Sequence, residues 1–165
     1  MELGGNDPMF VLPDADLAAA AKTAIAQRFE IAGQSCAAVK KLYVHEDIKA
    51  AFLDYLLEGV AAVKEGDPKQ SGIDMGPVID EMAAAEIEAR LKEAASLGGR
   101  ILTGGNRIGT MVAPTVIDHV DERAKLIRTE TFGPVLAIRT FTDSDAAIEE
   151  VNRSGFGLQA GIYSN

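Results

Sequence analysis

The sequence predicts an α/β domain with a mainly parallel sheet and helices on its faces, and three observations carry that reading. Short apolar runs of strand length alternate with helix-forming stretches along the whole chain. One of these runs, Ala37 to Val44, alternates poorly between apolar and polar positions and reads as a strand buried on both sides. The length, 165 residues, fits one compact domain able to bury most of the apolar surface its unfolded state exposes.

Taken in order, Phe10, Val11 and Leu12 form a first strand ended by Pro13, and Asp14-Ala15-Asp16-Leu17 offers a carboxylate N-cap to an alanine-rich helix. That helix is expected to end near Phe29, since the apolar spacing fades after Ile25 and Gly33 is a poor helix-interior residue. Cys36 then falls in or just after a loop. The buried strand to Val44 is followed by a helix from about Asp47 to Lys64, with Phe52, Leu53, Leu56, Leu57, Val60 and Val63 on its apolar face. Gly66 to Pro77 is rich in turn formers and makes the longest loop. Asp80 caps a helix reaching about Leu97, where Gly98-Gly99 supplies the left-handed conformation that ends helices. Arg100 to Thr103 reads as a short strand and Gly104-Gly105-Asn106 as a turn. Met111 to Ile117 reads as a strand interrupted at Pro114, for which a sheet edge is the expected place. Val135 to Phe141 is a stronger strand, Thr142 to Asp145 resembles a capping box for a helix to about Asn152, and Leu158 to Tyr163 is a final strand. No helix follows that last strand, and Met1 leads straight into Glu-Leu-Gly-Gly, so both ends read as cut and the fold as incomplete at its C-terminal end.

Composition narrows the function classes. Hydrophobic residues make up 47% and charged residues 25%, the balance of a folded globular chain. Sixteen basic against twenty-five acidic residues leave a net charge of −9, which repels phosphate backbones and anionic membranes. With Cys36 as the single cysteine no internal disulfide can form, which points to a reducing cytoplasm. No apolar run reaches the roughly 18 to 20 residues a bilayer span needs, and the N-terminus lacks a signal-peptide layout.

Three segments bear on chemistry: Glu2-Leu3-Gly4-Gly5-Asn6, Gly33-Gln34-Ser35-Cys36, and Glu130-Thr131-Phe132-Gly133-Pro134. Singly, each has a plain alternative: a surface turn, a small buried hydrophobe, and a loop turning into the next strand. No G-x-G-x-x-G fingerprint or Walker loop is present.

Together, in this order and with Cys36 34 positions after Glu2 (36 − 2), they resemble the aldehyde dehydrogenase superfamily. Asp67-Pro68, Gly76-Pro77, Ala113-Pro114-Thr115 and Phe156-Gly157-Leu158 with Ala160-Gly161 also look like family segments, so the resemblance covers essentially the whole chain. It implies the cysteine-bearing catalytic domain, residues 1–165, truncated and without the N-terminal dinucleotide-binding domain.

The resemblance further implies a thiolate at Cys36 that attacks an aldehyde carbon and a carboxylate at Glu2 that activates the water hydrolysing the thioester. It implies NAD or NADP as cofactor, with Glu130 on the nicotinamide ribose, Phe132 on the nicotinamide, and Leu3 and Gly4 as further cofactor-binding candidates. A small aldehyde is the implied substrate, a homo-oligomer the implied assembly of the intact enzyme. Glu2 disfavours relatives that pass the acyl group to coenzyme A. A stand-alone binding or assembly module with the same fold is the alternative of a different class. Gly33 and Gln34 are expected to shape the backbone around the cysteine. His45 and His119 match no catalytic position and read as surface or strand-end residues. Lys40 and Lys41 are expected to be solvated or helix-facing, with the provision that a cation near Cys36 would favour the thiolate.

Overall fold

Asp7–Val11 forms the first strand, β1, and all five of its residues are buried. The computed structural model describes residues 4–165. Helix α1 (Leu17–Phe29) starts where the sequence places its cap: the Asp16 carboxylate accepts the Ala19 N–H at 3.0 Å. Strand β2 (Val39–His45) follows and pairs parallel to β1. Helix α2 (Lys49–Ala61) is shorter at both ends than expected, because residues 46–48 form a 3₁₀ turn and the chain leaves the helix after Ala61. Helix α3 (Glu81–Ser96) is capped by Asp80, which accepts the Ala83 N–H at 2.8 Å, and ends ahead of Gly98 at φ +100°.

Strand β3 (Arg100–Thr103) precedes a two-stranded ribbon of β4 (Arg107–Ile108) and β5 (Met111–Val112). Strand β6 (Thr115–Asp118) and the short helix α4 (Lys125–Arg128) lead to β7 (Val135–Phe141). Helix α5 (Ser144–Asn152), capped by Asp143, and β8 (Gly161–Tyr163) complete the chain.

The main sheet has six strands in the order β3-β6-β7-β2-β1-β8; every pair is parallel except β3 with β6. This is the α/β architecture read from the sequence. The step from β1 to β2 and the step from β7 to β8 run in opposite directions across the sheet. Right-handed crossovers therefore put α1 and α5 on opposite faces. The side chains agree. Met9, Val11, Leu42, Val44, Leu136 and Ile138 join Ala20 and Ala24 of α1, Phe52 and Leu56 of α2 and Leu91 of α3 in the main core. A second, smaller cluster of Phe10, Tyr43, Phe141 and Ala147 lies under α5, with Phe10 stacked on Tyr43 at 4.9 Å between centroids.

Three expectations about strand boundaries need correction. The 111–117 segment is two strands, with Pro114 between them rather than inside an edge strand. Its sheet portion, β6, is covered on both sides by β3 and β7, so the missing N–H of Pro114 falls outside the ladder. Strand β1 also begins earlier than Phe10 and runs through Pro8, at the point where its register with β2 slips. The final strand is shorter than expected, Gly161–Tyr163 rather than from Leu158.

Candidate active site

The amino ends of β1, β2 and β7 bring the three sequence segments together. A Cβ added to Gly5 would stand 2.3 Å from the Cys36 carbonyl oxygen, so only glycine lets these two backbones touch. The Gly5 N–H donates to Glu130 Oε1 at 2.7 Å. Gly4, at φ +73°, lies against the other carboxylate oxygen, where a Cβ would meet Oε2 at 2.9 Å. Gly33 backs onto Gly133 in the same manner, with its φ at +70° and a Cβ position 2.4 Å from the Gly133 carbonyl. Gly4, Gly5, Cys36 and Glu130 thus occupy one site. Glu2 and Leu3 lie outside the described residues.

Cys36 is a free, half-buried thiol in a tight turn closed by the Ala38 N–H on the Ser35 carbonyl at 3.2 Å. Among the described residues the Cys36 N–H has no acceptor, which leaves a backbone donor beside the sulfur. The chain enters this turn through Ile31, Ala32 and Gly33, all left-handed at φ 51°, 54° and 70°. Left-handed backbone costs roughly 1–2 kcal/mol for each residue that carries a Cβ, and such strain gathers where function fixes the chain. Gln34 braces the entry: its Oε1 accepts the Ile79 N–H at 2.7 Å and its Nε2 donates to the Ile31 carbonyl at 3.1 Å. That is the shaping role expected of it.

Lys40 departs from expectation. It is 2% exposed, neither solvated nor turned to a helix. On β1, Asp7 pairs with Val39 and Pro8 with Lys41, so Lys40 is the extra residue of a bulge, a device that re-aims a side chain. Its ammonium turns back along the strand and donates to the carbonyls of Ser35 at 2.8 Å, Cys36 at 2.7 Å and Ala38 at 3.2 Å. It also stands 3.5 Å from Glu130 Oε1 and 5.8 Å from the Phe132 ring centroid. Burial, then Arg28, push the Lys40 ammonium below its ordinary acidity range, while Glu130 and Asp7 hold it up. One cation thereby ties the cysteine turn to the Glu130 segment.

Two arginines fix that segment from outside. Arg28 of α1, fully buried, donates through Nη2 to the carbonyls of Thr131, at 2.9 Å, and Gly133. Burial disfavours its charge, and Glu130 is the group that favours it. Arg90 of α3 donates to Thr129 Oγ1 at 3.1 Å, the Glu130 carbonyl at 2.5 Å and Thr131 Oγ1 at 2.8 Å. On the β1 side, Asn6 donates to the Ile127 carbonyl at 2.8 Å, and Asp7 accepts the Gln159 N–H at 3.3 Å. Burial raises the Asp7 carboxyl above its ordinary range, with the Gln159 N–H and Lys40 opposing it. Arg28 and Arg90 carry no site signal in the sequence, and Lys40 enters there only as a lysine whose charge would favour a thiolate if it lay near Cys36. A strand read as buried on both faces yet holding two lysines was the available signal.

The site fits the nucleotide the sequence implies at two points. Glu130 Oε2 has no hydrogen-bond donor among the described residues, which leaves an acceptor for a sugar hydroxyl, and the half-buried Phe132 lines the same small pocket as Glu130. His45 and His119 sit at the other ends of β2 and β6, as expected of strand-end residues. Among the described residues no group of acids, histidines and cysteine could hold a metal ion, and no helix is long and apolar enough to cross a membrane.

The chain is 42% identical over 165 residues to a lactaldehyde dehydrogenase of Methanococcus maripaludis, covering all of this chain and 35% of that one. It superimposes with a TM-score of 0.96 on the succinate-semialdehyde dehydrogenase of Burkholderia pseudomallei, at 36% identity, covering all of this chain and 35% of that one. A third similar structure is the NADP-dependent glyceraldehyde-3-phosphate dehydrogenase of Bacillus halodurans complexed with NADP, with a TM-score of 0.95 at 36% identity over 99% of this chain and 34% of that one. The chain thus spans about a third of the length of the relatives it matches. The aldehyde dehydrogenase family model matches residues 1–165, and the chain belongs to that family.

Proposed function

We propose that this chain carries the nucleophile of an NAD(P)-dependent oxidation of a small aldehyde to a carboxylic acid. The observation that carries this is the contact of Gly5 with both Cys36 and Glu130, tied together by Lys40. In this reading the Cys36 thiolate attacks the aldehyde carbon, and the unpaired Cys36 N–H donates to the resulting oxyanion. Glu130, through its free oxygen, would hold the ribose of NAD(P) and Phe132 would stand against its nicotinamide, and the bound cofactor would supply the hydride acceptor by which the thiohemiacetal on Cys36 becomes a thioester. Glu2 takes a proton from the water that releases the acid and frees Cys36.

Relatives spanning about three times this length imply that turnover belongs to the longer enzyme. We accordingly expect no cofactor reduction by these 165 residues above a Cys36→Ala control. In the longer enzyme, Glu2→Gln should leave a burst of reduced cofactor and an acylated Cys36, read by rapid-quench mass spectrometry. No trapped acyl group and an unchanged steady-state rate would remove Glu2 from the role. Cytoplasmic location and a homo-oligomeric enzyme complete the proposal. The open edge of β8 and exposed Ile79, Met82, Ile108 and Ile162 support association, which light scattering across a tenfold dilution series checks.

A further inference from the structure

On the α5 face of the sheet, Lys41 lines a cavity of about 320 Å³ with Tyr43, Glu122, Arg128, Glu150 and Arg153. Lys41 is 1% exposed, and its ammonium has no hydrogen-bond or ion-pair partner among the described residues. A buried cation without a counter-charge is costly, and such groups are ordinarily paired. The acid that favours its charge most, Glu150, makes no contact with it. Glu150 Oε1 accepts from Tyr43 at 2.9 Å and Arg139 Nε at 3.0 Å, and its Oε2 accepts from Arg139 Nη2 at 2.7 Å. Tyr43 is kept protonated by burial and by that same carboxylate. With both Glu150 oxygens engaged by Arg139 and Tyr43, that carboxylate acts on Lys41 only through space, and the cavity presents Lys41, Arg128 and Arg153 against the exposed Glu122. Its walls include neither Cys36 nor Glu130. The volume lies at the low end for small-molecule pockets.

We propose that this cavity is a binding site for a small oxyanion, a carboxylate or a phosphate-like group, seated on the Lys41 ammonium and bordered by Arg128 and Arg153. The ligand supplies the charge that the protein withholds from Lys41, through charge-assisted hydrogen bonds that only an oxyanion offers. Burial drives Lys41 down to about 8, opposed by Glu150 and Asp7, so the amine keeps most of its proton at neutrality and is held protonated to higher pH once an anion is seated.

The test is calorimetric titration of the 165-residue chain at pH 7 and fixed ionic strength, with sulfate as probe, acetate as a second arm and sodium chloride as the reference. Expected is saturable one-to-one sulfate binding, weakened about tenfold or more by Lys41→Met and retained by Lys41→Arg. Acetate binding as tightly as sulfate assigns the site to carboxylates; weaker acetate binding assigns it to phosphate-like groups. Amide shifts on sulfate addition should gather at Glu122, Arg128 and residues 153–155, which decides the matter on the unaltered chain if Lys41→Met does not fold. No heat beyond the chloride reference, equal binding by Lys41→Met, or shifts centred elsewhere overturns the proposal.

Discussion

Lys40 and Lys41 are neighbours on one strand, both buried, and their ammonium groups meet opposite outcomes. Lys40 gives its ammonium to three carbonyls of the cysteine turn and to Glu130. Lys41 gives its own to no described residue and opens onto a cavity. Desolvation acts on both and pushes both down. The difference is what faces them. A buried charge ties elements together where the fold supplies partners, and it remains a cost where the fold does not.

The largest effect that sharpens this contrast is Lys40→Met. It strips the donor from the carbonyls of Ser35, Cys36 and Ala38 and leaves Glu130 with the Gly5 N–H and no cation in contact. We expect a loss of about 2–4 kcal/mol in urea unfolding, the range for removing one member of a buried, hydrogen-bonded set. A loss below about 0.5 kcal/mol would mean that the contacts contribute little beyond what water supplies.

Lys41→Met should act in the other direction. The folded-state amine titrates at about 8 against 10.5 when exposed, so between those values the unfolded chain binds the extra proton and stability rises with pH. Below about 8 both states are protonated and the burial cost is present in full. Lys41→Met removes it, and we expect the variant to be roughly 1–3 kcal/mol more stable than the wild type at pH 7, before any oxyanion is added. That advantage should shrink through pH 8 to 10.5, read as the difference between two unfolding series. An advantage constant with pH would show that packing, not charge, sets it.

A smaller effect tests the outer support. Arg28→Lys keeps the charge, but its ammonium falls short of the position of Nη2, the one nitrogen that meets both carbonyls, so Thr131 or Gly133 loses its donor. We expect about 1–2 kcal/mol of destabilisation, with hydrogen exchange rising at residues 130–133 before it rises in β7. Uniform loosening of the whole sheet would place the role of Arg28 in general packing instead.

Much of this was legible in the sequence, and the reasons differ by element. The caps at Asp16, Asp80 and Asp143 are local events, since a carboxylate and an N–H two or three residues on suffice. The parallel sheet followed from alternation, and the site segments from their order. Lys40 and Lys41 were not legible as buried groups. Lysine is seldom fully buried, and the slip between Asp7 and Pro8 that turns Lys40 inward is set by pairing with a distant strand. The left-handed run at Ile31 and Ala32 is hidden for a similar reason: neither residue favours that backbone, and only the close packing of Gly33 on Gly133 imposes it. Arg28 lies on a helix whose alanine-rich neighbours give no hint that the position faces a loop rather than solvent.

The central claim, that Lys40 belongs to the cysteine site and Lys41 to a separate one, is tested most directly by alkylation of Cys36. The rate with iodoacetamide at pH 7 should change by about tenfold in Lys40→Met, where the turn that holds the thiol loses its donor to three carbonyls, and should remain within about twofold of the wild type in Lys41→Met. Sulfate at a concentration that fills the Lys41 cavity should leave the wild-type rate unchanged. An equal change in the two variants, or a rate that follows sulfate occupancy, would contradict the division of the strand into two sites.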